Sequence, residues 1–261
     1  MKPNIKLPIW LLLASAILSG EAFLGGEAFL GGEAFLGGEA FLGGEAFAMN
    51  TPRVQLGPNA EVTFDGLHLV NKTKLDKAWV KPEINLGQYD AVMLEDVAIS
   101  YRRVKSYNRT NRSAHEFPLS DHQKSLLETA VTETFESEFG KFEHFVVTDK
   151  PGRGTLEITV RLIDVVSKIP PEPLGRGDIY IRDLGQATLV VEVFDSVTGE
   201  ILARVTDQKN VEPTIITKSS PGTNLQEVRR SVRRWGLTIR KSMDELHEMG
   251  CYVCTVPGSV E

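Results

Sequence analysis

The chain has 261 residues, 41% hydrophobic and 25% charged, with 29 basic against 35 acidic side chains for a net charge of −6. That is globular composition, too apolar for a wholly disordered chain and too polar for a bundle of membrane spans. A mildly acidic total also argues against whole-molecule attraction to nucleic acid, which needs a basic surface.

Lys2 and Lys6 precede a short apolar run from Pro8 to Leu18, followed by small residues. A basic start and a run shorter than the ~20 residues of a transmembrane helix read as a secretory signal. A tandem hexad, EAFLGG, then begins at Glu21, Glu27, Glu33 and Glu39 and ends in the partial copy Glu45-Ala46-Phe47-Ala48. Collapsing the copies leaves a signal of ordinary length with an A-x-A site, so residues 1–48 are expected to be a signal peptide with an expanded repeat, cleaved after Ala48. The alternative is an uncleaved tether whose recurring Phe and Leu lie on a membrane surface. Cleavage leaves roughly 200 residues, enough to bury one core. These features imply export to the periplasm or beyond, in a form soluble or peripheral to the outer membrane. No cysteine lies near the signal, so no lipid-modified N-terminal cysteine is expected.

Residues 49–88, punctuated by Pro52, Gly57, Pro58, Gly66, Pro82 and Gly87, read as an irregular lead-in with short strand pieces. Phe64, Leu67, Leu69 and Trp79 would hold it to the domain. A single α+β domain is expected over 89–250, with a tail at 251–261. Tyr89 to Tyr101 reads as an interior strand, apolar on both faces. Arg102 to Glu116 is polar and reads as an exposed loop. Ser120 followed by Gln123 is a capping-box pattern; Leu126, Leu127, Ala130, Val131, Phe135 and Phe139 then keep helical spacing up to Gly140, a natural C′ residue.

Short Phe142–Val147 and longer Leu156–Val166 strands follow, the second alternating apolar with polar. Ile169 to Asp178 is a Pro/Gly loop. The clearest signal is the hairpin over Gly185–Gln208. Ala187, Leu189, Val191 and Val193 share one face of its first strand, and Ile201, Ala203 and Val205 one face of its second, around Asp195–Glu200. From about Asn224 to Glu248, Val228, Val232, Trp235, Ile239, Met243 and Leu246 form an apolar helical stripe. The expected fold is α+β: a mostly antiparallel sheet of about four to five strands with two helices packed on one face.

No phosphate loop, nucleophile elbow, H-E-x-x-H or dinucleotide fingerprint occurs, so no catalytic, cofactor or metal site is assigned. Cys251 and Cys254 form the one C-x-x-C. In an exported chain a disulfide is the expected state; free thiols, a metal site with His247 and a redox pair are the alternatives. A thioredoxin-like role needs the pair at a helix N-terminus, and here it follows a C-terminus. Arg102, Arg103, Lys105, Arg109 and Arg112 in the loop, with Arg229, Arg230, Arg233 and Arg234 on the last helix, are the concentrated positive charge. They could meet an anionic partner or be a solvated surface balanced by carboxylates. Tyr101 and Tyr107 would suit base stacking, but export and net acidity argue against nucleic acid. Adjacent Glu95 and Asp96 point to opposite strand faces and cannot act as a pair. Arg176-Gly177-Asp178 is a tripeptide common by chance, and His115 and His122 read as surface residues.

Trp79-Val80-Lys81-Pro82, Tyr89 to Val97, Thr155 to Val160 and Val191 to Glu200 resemble a bacterial family of envelope lipoproteins of unknown function, domain-of-unknown-function family thirty-three thirteen. The resemblance spans most of residues 60–247. It implies a periplasm-facing α+β domain and supplies no catalytic residues; this chain lacks the family's lipidated cysteine. The expected function is that of an exported envelope accessory or binding protein, working through an envelope protein or an anionic surface component. The alternative is a periplasmic enzyme or small-ligand binder with a pocket between the sheet and the Ile169–Asp178 loop.

Overall fold

The computed structural model describes residues 52–104, 116–170, 178, 180–213 and 216–251. Three long strands form the centre: β7 (Thr155–Ser167), β9 (Gly185–Asp195) and β10 (Ile201–Val211), each antiparallel to the next. The β9–β10 hairpin is the one its alternation dictates. Asp195 accepts the backbone N–H groups of Val197 and Thr198 across the turn, at 2.9 and 2.8 Å, and Gly199 takes the positive φ of 67°.

Beyond β10 lie β3 (Lys77–Val80), β2 (His68–Asn71) and β1 (Arg53–Val54), all antiparallel. Beyond β7 lie β4 (Ala91–Leu94), β5 (Ala98–Tyr101) and β6 (Val146–Val147). β4 and β5 both run parallel to β7, and β6 runs parallel to β4. Among the described residues the sheet is therefore mixed, with five antiparallel and three parallel pairings, and has nine strands where four or five were expected. The extra strands have two sources. The lead-in adds three at one edge. The Tyr89–Tyr101 segment breaks at Glu95–Val97 into two strands, each matched to a different part of β7. A separate small ribbon pairs β8 (Tyr180–Ile181) with β11 (Thr217–Lys218).

Helix α1 (Asp121–Phe139) starts at the expected capping box. The Ser120 hydroxyl accepts from the Gln123 backbone while the Gln123 side chain accepts from the Ser120 backbone. Gly140 ends the helix in right-handed geometry, φ −60°, so its lack of a side chain is not used for a left-handed turn. Helix α2 (Pro221–Met249) begins about one turn before the expected start near Asn224. Ser220 caps it through Thr223, and Pro221 occupies the first turn, where a missing N–H costs nothing.

One face of the sheet meets both helices. Val70, Ala78, Val205, Val191 and Val160 stand in register across five strands, a row of period-two positions. Onto this face pack Val131, Phe135 and Phe139 of α1 and Val232, Trp235, Ile239 and Met243 of α2. Replacing Phe135, which has no exposed surface, by Ala would cost about 3–5 kcal/mol. The helices run parallel, as the ladder Arg229–Glu133, Arg233–Glu138 and Arg240–Lys141 shows. They approach closely at Gly236, where an added Cβ would lie 3.0 Å from Glu138 Cβ.

Candidate functional site

Parallel helices over one sheet face bring both N-termini to the same end of the domain, where β7 and β10 finish and β9 begins. There the helices and the sheet leave a groove of about 1060 Å³. Its floor is apolar: Val131, Leu162, Val165, Ala187, Val232 and Trp235. Its rim carries Ser120, His122 and Gln123 from the start of α1, and Ser220 and Asn224 from the start of α2. Phe117, tied by an antiparallel bridge to Ser167, closes one side. Lys218 and Asp178, joined at 2.5 Å, stand at the mouth. The Asp178 carboxylate raises the pKa of Lys218, holding it fully charged.

Two backbone features shape the floor. Gly185 passes so close to β7 that a Cβ there would sit 2.2 Å from the Val166 carbonyl oxygen. Beside it β7 carries a bulge between Ile163 and Val166, and Asp164 adopts a φ of 58°. Arg102 braces the bulge. Its guanidinium binds the Asp164 carboxylate and, at 2.5 Å, Glu116 on the approach to α1. Asp164 holds Arg102 well above its usual range, and Arg102 holds Asp164 below its own.

The opposite sheet face is not covered by either helix. In register across it stand Leu69, Trp79, Arg204, Glu192 and Thr159. Arg204 binds Glu192 at 2.7 Å and Asp65 at 2.5 Å, while Arg161 binds the other oxygen of Glu192 at 2.5 Å. Burial would raise Asp65, but hydrogen bonds from Arg204 and Thr63 outweigh it and leave the carboxyl below the usual range. Arg204, Arg161, Glu192 and Asp65 on this face thus pair with one another. Phe64 projects from its edge fully exposed, with the Arg204 guanidinium 5.8 Å from its ring centroid, so it does not anchor the lead-in as expected; Leu67 does, being buried.

Of the residues expected to form an anionic-partner surface, Arg102 is the bulge brace. Arg229, Arg230 and Arg233 face Glu133, Glu227 and Glu138 at 3.0, 3.0 and 3.5 Å. Arg103 and Arg234 are exposed. Lys105, Arg109 and Arg112 lie outside the described residues, as do Ala48, Tyr107, His115, Arg176, Gly177 and Cys254. Tyr101 donates to Glu128 at 3.1 Å instead of standing free for stacking. Cys251 follows α2 and bridges to Asn85, and among the described residues no cysteine is free.

Glu95 and Asp96 remain apart in role, but Glu95 finds another carboxyl. Parallel pairing of β4 with β7 sets it against Glu157, whose pKa is raised by burial and then by Glu95. At the far end of the helices His144 and His247 stack with ring centroids 4.9 Å apart, and His144 meets Glu248 at 3.0 Å. Among the described residues no group of three His, Cys, Asp or Glu side chains is arranged to hold a metal ion. None of their helices is long and apolar enough to cross a membrane.

The fold and groove together define a two-layer α+β domain with an apolar cleft at the paired helix N-termini. The chain belongs to the family described as Protein of unknown function (DUF3313), whose pattern matches residues 64–237. No curated protein matches it. Among solved structures it is similar to a PelC dodecamer from Paraburkholderia phytofirmans (8% identity, TM-score 0.26, covering 60% of this chain and 96% of that one). It is also similar to a Xanthomonas campestris protein of another domain-of-unknown-function family (9% identity, TM-score 0.34, 64% and 89%). A third likeness is to a neuraminyllactose-binding hemagglutinin homolog from Helicobacter pylori (10% identity, TM-score 0.36, 62% and 91%). Likeness at this level carries no functional inference.

Proposed function

We propose that the chain is an exported binding protein of the bacterial cell envelope, and that the groove between the first turns of α1 and α2 is its working surface. The observation that carries this reading is the groove's chemistry. A cleft of about 1060 Å³ with an apolar floor and a thin polar rim has the size and lining of a ligand site. Among the described residues its titratable side chains are His122, Asp178 and Lys218, and Asp178 is engaged with Lys218. Such a lining suits holding a ligand more than transforming one. Ile169, Pro170 and Asp178 line the groove, and residues 171–177 between them lie outside the described residues.

The test is a titration of the purified chain with N-phenyl-1-naphthylamine, a neutral apolar dye whose emission rises out of water. A saturable one-to-one rise is expected, weakened in Leu126→Glu, which sets a charge on an exposed part of the groove wall without entering the core. A native chain that leaves the dye dark sinks the reading.

A further inference from the structure

The groove is graded in polarity from floor to mouth, and the gradient bears on what fills it. On the floor, Val131, Leu162, Val232 and Trp235 are at most 3% exposed. At the rim, Ser120, Gln123 and Lys218 are exposed and polar. An occupant that satisfies both ends is apolar along its length and polar at one tip. A wholly apolar molecule would strip water from the rim without replacing its hydrogen bonds.

The mouth also has a sign. Lys218 already holds a carboxylate, that of Asp178, at 2.5 Å, which is the contact an incoming anionic head would make. The first turn of α2 contains no acidic residue, the Asp121 carboxylate in that of α1 is matched by Lys124 at 3.0 Å, and both helices point their positive ends at this rim. Exposed apolar side chains lie near Lys218 in the chain and along the groove: Leu126 lines the groove and is 40% exposed, Tyr180 pairs with Lys218 and is 64% exposed, and Ile216 precedes β11 at 50%. Apolar side chains beside an exposed lysine are the combination that meets the head-group region of a membrane.

We propose that the occupant is an acyl-chain amphiphile with an anionic head, its tail along the floor and its head at Lys218 and the two helix starts. The proposal rests on the groove being a binding site, and the experiment separates the two. The full chain is titrated with oleate and with oleyl alcohol, which share a tail and differ in the charge of the head, and is also incubated with phosphatidylglycerol vesicles and re-isolated. Oleate should bind one-to-one and about tenfold more tightly than the alcohol, the size of one charge-assisted hydrogen bond. Lys218→Gln should erase that preference, and Lys218→Arg should restore it. Phosphatidylglycerol carried off on the chain assigns a membrane lipid as the source; oleate binding without it assigns free fatty acid, and either supports the proposal. Equal affinity for acid and alcohol, or a preference unchanged in Lys218→Gln, overturns the anionic head and leaves the groove reading standing. If the alcohol, the acid and the naphthylamine dye all fail to bind, both fall together.

Discussion

The buried carboxylate of Asp207 accepts the indole N–H of Trp235 at 2.6 Å, and it is the polar link between the centre of the sheet and α2. Its other oxygen accepts the backbone N–H of Asp76 at 3.1 Å, and Lys209 supplies the counter-charge at 2.6 Å. The groove depends on this link, because Trp235 forms part of its floor. Asp207→Ala leaves two donors and an ammonium without an acceptor, and should cost about 2–4 kcal/mol in urea denaturation. Trp235→Phe keeps most of the ring and leaves one acceptor short, so it should cost less. A loss under about 0.5 kcal/mol for Asp207→Ala, the size of an ordinary surface change, would mean that the carboxylate is not tying these layers together.

Gly185 is the second point on which the groove turns. A methyl group there would collide with backbone, which cannot rotate away as a side chain can. Gly185→Ala should therefore destabilise the domain by about 1–3 kcal/mol or more, as overpacking does. Because the residue borders the groove, dye binding should fall even where the variant remains folded. Wild-type stability and dye affinity in Gly185→Ala would show that β7 and β9 can part at the bulge without consequence.

What could be read from residue order follows the range of the interactions involved. The β9–β10 hairpin and both helices are local: alternation, capping residues and a three-to-four-residue stripe all act within a few positions, and Ser120, Gln123 and the stripe from Val228 to Leu246 stand where they were expected. The sheet's size was hidden because β4 and β5 pair with β7 more than fifty positions away and in parallel, where no turn marks the partner. The groove had no signature in the sequence. Its floor consists of ordinary core residues, and nothing in Val131 or Leu162 marks the point where packing stops. Arg102, Arg229 and Arg233 read as a charged patch because their carboxylate partners, Asp164, Glu133 and Glu138, lie on other elements.

The Glu95–Glu157 contact gives a prediction with a definite sign. Burial, then the neighbouring carboxylate, raises Glu157 above its ordinary value of 4.5. A group raised on folding favours the folded chain below its unfolded pKa, and that contribution is lost as pH rises through the folded pKa. At neutral pH the charged Glu157 is thus a burden, and Glu157→Gln should be more stable than the native chain. The advantage should shrink as pH falls through the raised folded pKa and should have levelled off by 4.5, because the native carboxyl is already protonated in the folded chain above that point. Denaturation midpoints measured across that range test it; a variant equal to or weaker than the native chain at neutral pH contradicts it.

Cys251 and Cys254 should be joined as a disulfide in protein recovered from the envelope. Alkylation before reduction should then add nothing to the intact mass, and alkylation after reduction should add two groups. Modification without reduction would establish free thiols, and stoichiometric zinc would establish a metal site with His247 as a ligand.

Asp195 governs the acid side. Its carboxylate holds the β9–β10 turn through the backbone N–H of Thr198, the largest influence on it, and that of Val197, and accepts the Tyr89 hydroxyl at 3.0 Å. These donors outweigh burial and lower Asp195 below its ordinary 3.8. The same contact, after burial, pushes the Tyr89 phenol up to about 12. A lowered carboxyl contributes stability in full above its unfolded pKa and loses it as pH falls through the folded value. Asp195→Asn, which keeps one acceptor and loses the charge, should cost about 1–2 kcal/mol at neutral pH. The gap between variant and native chain should close as pH drops below 3.8, because the native chain then also loses its carboxylate. The Tyr89 side runs the other way. Its contribution is whole below 10 and lost as pH rises through about 12, so Tyr89→Phe should converge with the native chain only in strong alkali. A gap for Asp195→Asn that stays constant from neutral pH down to about pH 2 would place the effect in turn geometry and not in the charge.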